Sequence, residues 1–236
     1  MGHGVFITGT DTGIGKTFVS VALLHALRAV GLRAVGMKPV ASGCVATAAG
    51  LRNEDALVLQ AASDDAPEYT QVNPLAFAAP VSPHLAAAAE GRRVELAPVQ
   101  AAYARLAARA DVLVVEGVGG WLAPLSDTLA AADLARVLGL PVILVVGLRL
   151  GCLNHALLSA RAIAADGCTL LGWIGNRIDP AMQDAEGNLA TLRARLPAPC
   201  LGVLAHAADA AAAAAALAAA ASALQSCARP GPGESP

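Results

Sequence analysis

The sequence is short of lysine, of aromatic residues and of long apolar runs. Its 236 residues include 16 basic residues, of which only Lys16 and Lys38 are lysines, and aromatic residues make up 3%. The longest run of branched apolar residues, 140–146, is far shorter than the roughly 18 residues that a membrane-spanning helix needs. A formal net charge of −2 gives no basic footprint for nucleic acid or anionic lipid. We therefore expect a soluble globular protein.

The cysteines and the first residues indicate the cellular compartment of the protein. The five cysteines are odd in number, widely spaced and without a Cys-x-x-Cys pair, which fits neither a disulfide framework nor a zinc site. The first eight residues lack the basic and apolar regions of a targeting signal. Both features predict a cytoplasmic protein.

Short apolar runs alternate with helical segments along the chain. This pattern predicts an α/β fold with a single doubly wound, mostly parallel sheet and helices on both faces. We expect strands at 5–8, 33–38, 111–116, 142–146, 169–174 and 200–204. Since no linker or repeat divides the chain, residues 1–225 are predicted to form one domain of the P-loop type, followed by a disordered tail at 226–236. The alanine-rich stretch 207–223 favours a helix but offers little to pack.

A glycine-rich segment, GTDTGIGKT at 9–17, lies between the first predicted strand and the first predicted helix. In that position backbone N–H groups point at a bound phosphate, Lys16 reaches the terminal phosphates, and the Thr17 hydroxyl binds Mg²⁺. The match to the P-loop pattern is imperfect, because Thr10 occupies the first glycine position. A dinucleotide-binding fold is disfavoured, since Phe18 stands where its third glycine would be.

Three charged residues outside this loop fit the same chemistry. Glu116 ends an apolar strand, the position of the acid that holds Mg²⁺ in P-loop proteins. Asp55 lies in the first turn of a helix that Asn53 is expected to cap, where an acid also suits the helix dipole, so the pattern alone does not decide its role. Lys38 ends the second strand, beside the loop, and supplies a second cation for a transferring phosphoryl group.

Several segments, in order over roughly residues 5 to 204, resemble the dethiobiotin synthetase family. They are GTDT (9–12), GKT (15–17), KPVASG (38–43), LRNED (51–55), VNP (72–74), SPH (82–84), VEG (115–117), GGW (119–121), PLSD (124–127), PVILVVG (141–147) and GCLNH (151–155). The resemblance implies ATP- and Mg²⁺-dependent closure of a cyclic urea from 7,8-diaminononanoate and CO2, through a carbamate and a carbamic–phosphoric anhydride.

The resemblance also assigns residues. It implies that Lys38, Lys16 and Thr12 are catalytic, and that Thr17, Asp55 and Glu116 hold Mg²⁺. It places the nucleotide on Gly13, Ile14, Gly15, Lys16, Thr17, Phe18, Asp55, Glu116, Gly117, Val118, Gly119, Asn176 and Arg177. It places the diamine on Ser42 and, across a homodimer interface, on Gly151, Cys152, Leu153 and Asn154.

The sequence departs from the family at two places, and two other functions remain as alternatives. Gly13 replaces a glutamate of a well-known member, and residues 205–207 differ from the adenine-side segment, so base selectivity stays open. A membrane-cycling regulatory ATPase would carry a signature lysine where Asp11 stands, and the alanine-rich end has no apolar face for a membrane. An amidating synthetase with an attached glutaminase would need a longer chain and a different cysteine context.

Overall fold

The computed structural model describes residues 4–228. Its strands are, in chain order, β1 (Gly4–Gly9), β2 (Ala34–Met37), β3 (Val40–Ala41), β4 (Val45–Thr47), β5 (Gly50–Arg52), β6 (Leu75–Ala76), β7 (Val112–Glu116), β8 (Val142–Gly147), β9 (Leu170–Asn176) and β10 (Cys200–Leu204). Its helices are α1 (Lys16–Ala29), α2 (Glu54–Ala62), α3 (Tyr69–Val72), α4 (Pro83–Ala89), α5 (Leu96–Ala107), α6 (Ala131–Leu138), α7 (Cys152–Ala165), α8 (Ala185–Arg195), α9 (Ala210–Ala213), a 3₁₀ turn (Ala214–Leu217) and α10 (Ala218–Ala228).

Six of the described strands form one parallel sheet in the order β10-β9-β8-β1-β7-β2. Its central strands β1, β7 and β8 are almost wholly buried, as their continuous apolar sequences require. Side chains alternate between faces: Val5 and Ile7 pack in the core beneath α1, whereas Phe6 packs in the core beneath α5 and α6. Helices therefore cover both faces, and the predicted fold class is confirmed.

The carboxyl ends of the parallel strands meet at one edge of the sheet. β1, at the centre, pairs with β7 on one side and with β8 on the other, so the strand order reverses there. The loops after β1, β2 and β7 consequently share one crevice, where open α/β sheets bind ligands. Between β2 and α2 the chain forms the short strand β3, which pairs with β6, and the hairpin β4–β5.

The end of the chain corrects one expectation. The alanine-rich stretch was predicted to have little to pack, but Leu217, Ala220, Ala221 and Leu224 are buried in the core that includes α1. Alanine allows close approach of two helices, and leucines seven residues apart lie on one helical face. The last helix reaches Ala228, into the segment predicted to be a disordered tail, and residues 229–236 lie outside the described residues.

No helix within residues 4–228 is long and apolar enough to cross a membrane.

Candidate active site

The phosphate loop, residues 9–17, takes the shape that its glycines permit. Gly13 and Gly15 have φ values of +71° and +82°, a region in which other residues are strained. A Cβ on Gly15 would also lie 2.2 Å from Nδ2 of Asn176. The amide of Asn176 donates to the Ile14 carbonyl over 2.9 Å, which fixes the loop against the end of β9.

The loop ends at the N-terminus of α1, and no side chain of the described residues caps that helix. The backbone N–H groups of its first turn therefore remain available to an anion. Lys16, in this turn, is 7% exposed and its Nζ donates to the Asp11 carbonyl over 2.9 Å. Burial and then the nearby Lys38 charge lower the pKa of Lys16 to about 8, against the opposing effect of Glu116.

Lys38 lies at the centre of a partly buried charge cluster formed by Thr17, Lys38, Asp55 and Glu116. Its Nζ donates to Glu116 Oε1 over 2.5 Å, to Asp55 Oδ2 over 3.1 Å, and to the Gly117 carbonyl over 3.3 Å. Burial alone would lower the pKa of Lys38, but the two carboxylates raise it above its usual value. Burial likewise works against ionised Asp55, yet the Lys38 charge holds the pKa of Asp55 below its usual value. Lys38 therefore stays protonated.

The acidic side of the charge cluster has the donors that Mg²⁺ prefers. Glu116 Oε1 accepts from both Lys38 and the Thr17 hydroxyl, the latter over 2.9 Å. Glu116 Oε2 is buried without a hydrogen-bond partner among the described residues. A buried, unpartnered carboxylate oxygen beside a hydroxyl and a second carboxylate suits a hard cation. The described residues contain no group of three His, Cys, Asp or Glu side chains placed to hold a metal, and Mg²⁺ at phosphate sites commonly uses only one or two carboxylates.

A cavity of about 440 Å³, which we call the phosphate cavity, opens over the charge cluster. It brings together most of the residues predicted for catalysis, nucleotide and metal, which are Thr12, Gly13, Gly15, Lys16, Thr17, Lys38, Asp55, Glu116, Val118 and Gly119, and it includes Ser42, which was predicted for the diamine. A second cavity of about 440 Å³ shares Thr12, Ser42, Val118 and Gly119 with it and continues toward Pro80 and Pro124. The two cavities form one continuous cleft.

Other predicted residues lie outside the phosphate cavity. Ile14 is buried and Phe18 is packed against the α1 core, so both support the loop. Asn176 contacts the loop from β9, whereas the Arg177 side chain pairs with Glu186. The segment Gly151–Asn154 is not among the described residues that line either cavity.

Two residues at the site were missed by the sequence patterns. Asn53, which caps α2 as predicted by accepting from the Ala56 N–H, also lines the phosphate cavity. Arg149 pairs with the Asp11 carboxylate of the phosphate loop, and no motif indicates this contact because the two residues are far apart in sequence. The partnership also explains why an acid stands at that loop position.

The chain is similar to known proteins in sequence and in fold. A family model described as "AAA domain" matches residues 3–214. The ATP-dependent dethiobiotin synthetase BioD of Xanthomonas euvesicatoria is 62% identical over 84% of this chain and 88% of its own. The protein of the same name from Xylella fastidiosa is 61% identical over 85% of this chain and 89% of its own.

Among solved structures, the MinC:MinD cell division protein complex of Aquifex aeolicus superposes with a TM-score of 0.58 at 15% identity, covering 99% of this chain and 97% of that chain. At that identity the likeness shows a shared fold and nothing about activity. The much closer sequence relatives identify the group within that fold: the chain belongs to the dethiobiotin synthetase family.

Proposed function

We propose that the chain uses ATP to close the ureido ring of dethiobiotin from 7,8-diaminononanoate and CO2, with Lys16 and Lys38 as its principal catalytic cations. The observation that carries this is the convergence of two ammonium groups, one from the start of α1 and one from the end of β2, on one cavity beside Glu116 and Asp55. The family supplies the reaction, and the cavity supplies groups that suit it.

The reaction needs two anions to meet. One amine of the substrate attacks CO2 and loses a proton, giving a carbamate. A carbamate oxygen then attacks the γ-phosphorus and ADP leaves, and the second amine attacks the resulting anhydride carbon and expels phosphate. The protein mainly has to position carbamate and ATP in line and to offset their negative charges.

Lys38 is suited to the carbamate and the transferring phosphoryl group, because its charge is fixed by two carboxylates at the cavity floor. Lys16 and the N-terminus of α1 are suited to the ATP phosphates. Thr12 lines both cavities and is placed to donate a hydrogen bond where they join. Thr17, Asp55 and Glu116 would hold Mg²⁺, which neutralises phosphate charge when bound.

The second cavity is proposed for the diamine, with its nitrogen end at Ser42, a residue that lines both cavities. Its carboxylate needs a further site, for which we propose Gly151, Cys152, Leu153 and Asn154 of a second copy of this chain. The N-terminus of α7 lacks a side-chain cap from the described residues, so its N–H groups suit a carboxylate. Asn176 and Arg177 are proposed to contact the base of the nucleotide. The proposed cellular location of the protein is the cytoplasm.

The decisive assay measures phosphate release with 7,8-diaminononanoate and bicarbonate supplied together and singly. Release should depend on both, and mass spectrometry should find dethiobiotin. Release that is unchanged when either is omitted would instead indicate a regulatory ATPase.

Two variants at neighbouring positions in the first turn of α2 test the proposed magnesium site. Asp55→Asn should raise the Mg²⁺ concentration needed for half-maximal activity about tenfold, whereas Glu54→Gln, at an exposed neighbour, should leave it unchanged. Binding of Mn²⁺ in the presence of ADP, followed by electron paramagnetic resonance, gives the same comparison without turnover. Equal behaviour of the two variants would remove Asp55 from the metal site.

A further inference from the structure

The backbone of Lys38 is held from outside the main sheet. Lys38 follows β2, the edge strand, so no further strand of that sheet lies beside it. Its N–H donates to the Val72 carbonyl over 2.8 Å, and its carbonyl accepts from Asn73 Nδ2 over 2.7 Å. Both polar backbone groups of this proposed catalytic residue thus depend on two consecutive residues at the C-terminal end of α3, Val72 and Asn73.

Asn73 is in turn connected to the helix that carries Asp55. The Tyr69 hydroxyl accepts from the Asn53 N–H over 2.7 Å and donates to Asn73 Oδ1 over 3.0 Å. Asn53 is the N-cap of α2, two residues before Asp55. A continuous bridge therefore runs from the Lys38 carbonyl through Asn73 and Tyr69 to the start of α2.

The direction of each hydrogen bond in the bridge is determined. The Asn53 N–H is only a donor, so the Tyr69 hydroxyl accepts there and directs its own proton to Asn73. This places the amide oxygen of Asn73 toward Tyr69 and its NH₂ group toward the Lys38 carbonyl. Asparagine satisfies both ends at once, which neither aspartate nor leucine can do.

The two side chains of the bridge are buried. Asn73 and Tyr69 are 3% and 8% exposed, and the Arg52 guanidinium lies 4.2 Å from the centre of the Tyr69 ring. In front of the bridge, Lys38 Nζ contacts Asp55 Oδ2 over 3.1 Å. Lys38 and Asp55 are thus connected twice. Their side chains contact each other in the cavity, and the bridge connects the Lys38 backbone to the start of α2.

We propose that Asn73 and Tyr69 are positioning residues that fix Lys38 relative to Asp55 for phosphoryl transfer. The inference rests on the proposed function, because it takes Lys38 as the catalytic cation and Asp55 as a metal ligand. ATP, the metal and the carbamate compete with the side-chain contact between Lys38 and Asp55. The bridge then keeps the backbones of these two residues in the same relative position.

The chain offers a matched test, because Tyr69 and Tyr103 are its two tyrosines. Both are 8% exposed, but the Tyr103 hydroxyl has no hydrogen-bond partner in the described part of the chain. Tyr69→Phe keeps the ring and the Arg52 contact and removes only the bridge. We expect kcat to fall about tenfold, with the KM for ATP within about twofold, as for other supporting contacts behind a site. Tyr103→Phe should keep the parental kcat.

Asn73→Asp should have the larger effect, a fall in kcat of about 100-fold, because a carboxylate would face the Lys38 carbonyl without a proton to donate. Thermal unfolding of each variant gives the folded fraction at the assay temperature. If, after that correction, Tyr69→Phe and Tyr103→Phe have equal kcat values, the proposal is overturned.

A second readout does not require turnover. Protein labelled with ¹³C and ¹⁵N in lysine gives signals from Lys16 and Lys38 alone, which Lys38→Arg assigns. The Lys38 side-chain signal should shift or broaden in Tyr69→Phe and stay unchanged in Tyr103→Phe. An unchanged Lys38 signal in both variants contradicts the proposed role of the bridge. An absence of diamine-dependent phosphate release in the parent protein contradicts the proposed function instead, and the comparison of the Lys38 signals still tests the bridge.

Discussion

The two sides of the cleft differ in how much of the site one chain completes. On the phosphate side, Lys16, Lys38 and Glu116 are 7%, 4% and 1% exposed and already contact their partners. On the carboxylate side, the segment before α7 is open, and Leu150, beside Gly151, is 93% exposed. Burial fixes the charges proposed to act on the transition state in advance, whereas Gly151 and Asn154, proposed for the substrate carboxylate, are exposed. The phosphate side is therefore formed within one chain, whereas the proposed carboxylate side requires a second copy of the chain.

The largest expected effect is on the phosphate side. Lys38→Arg should lower kcat by about 10²- to 10³-fold, because a planar guanidinium cannot replace an ammonium held between Glu116 Oε1 and the Gly117 carbonyl. The KM for ATP should change far less, since Lys38 acts on charge that develops during the reaction. Steady-state kinetics and binding of a non-hydrolysable ATP analogue separate the two. A loss confined to nucleotide binding would contradict the assignment.

The carboxylate side should affect affinity rather than turnover. Asn154→Ala is expected to raise the KM for the diamine about tenfold, the cost of one hydrogen bond to a charged group, with little change in kcat. Mixing it with inactive Lys38→Ala protein makes the test specific to a shared site. A mixed dimer contains one cleft with both sides intact, so activity at low diamine concentration should rise on mixing. No rise would mean that each chain uses its own α7 or none.

A smaller effect, the pH dependence of ATP-analogue binding, distinguishes Lys16 from Lys38 on the phosphate side. The free protein loses the Lys16 charge as pH passes about 8, so the dissociation constant of an ATP analogue should rise about fourfold between pH 7 and pH 8.5. The raised pKa of Lys38 keeps its charge throughout this range. Lys16→Arg, whose charge does not titrate here, should bind with a flat profile, and calorimetric titration measures both. The same rise in Lys16→Arg would assign the effect to another group.

The smallest effect is expected where the chain ends, away from both sides of the cleft. Truncation after Gln225 should leave kcat and both KM values unchanged, because Leu217 and Leu224, which pack in the α1 core, are retained. Leu217→Ala, by contrast, should lower the free energy of unfolding by about 2–5 kcal/mol, measured by urea denaturation. A large loss of activity on truncation would show that the last residues contribute to the site.

The sequence predicts the phosphate side well for a physical reason. Lys38 follows β2, Glu116 ends β7, and Lys16 follows the phosphate loop after β1. The carboxyl ends of parallel strands converge at one edge. Knowing the strands therefore suffices to bring these residues together, although they are far apart in the chain. The glycines of the phosphate loop mark the same edge through their required backbone conformation.

Other contacts follow no such rule. Asn73 lies in the VNP segment of the family resemblance, but no pattern assigns a role to it or to Tyr69, because their roles depend on the orientation of one amide and one hydroxyl. Arg149 finds Asp11 through the turn after β8, which no periodicity specifies. The alanine-rich end was misjudged because packing between helices depends on how closely the backbones approach, not on side-chain size alone.

The position of the lysines has a practical consequence for handling the protein. Both lysines of the chain line the cavity proposed as the active site, so coupling to an amine-reactive resin through lysine would modify that site. Immobilised or crosslinked preparations should therefore be attached through engineered thiols, and inactivation by an acylating reagent, with and without ATP, would report how accessible the cleft is to small electrophiles.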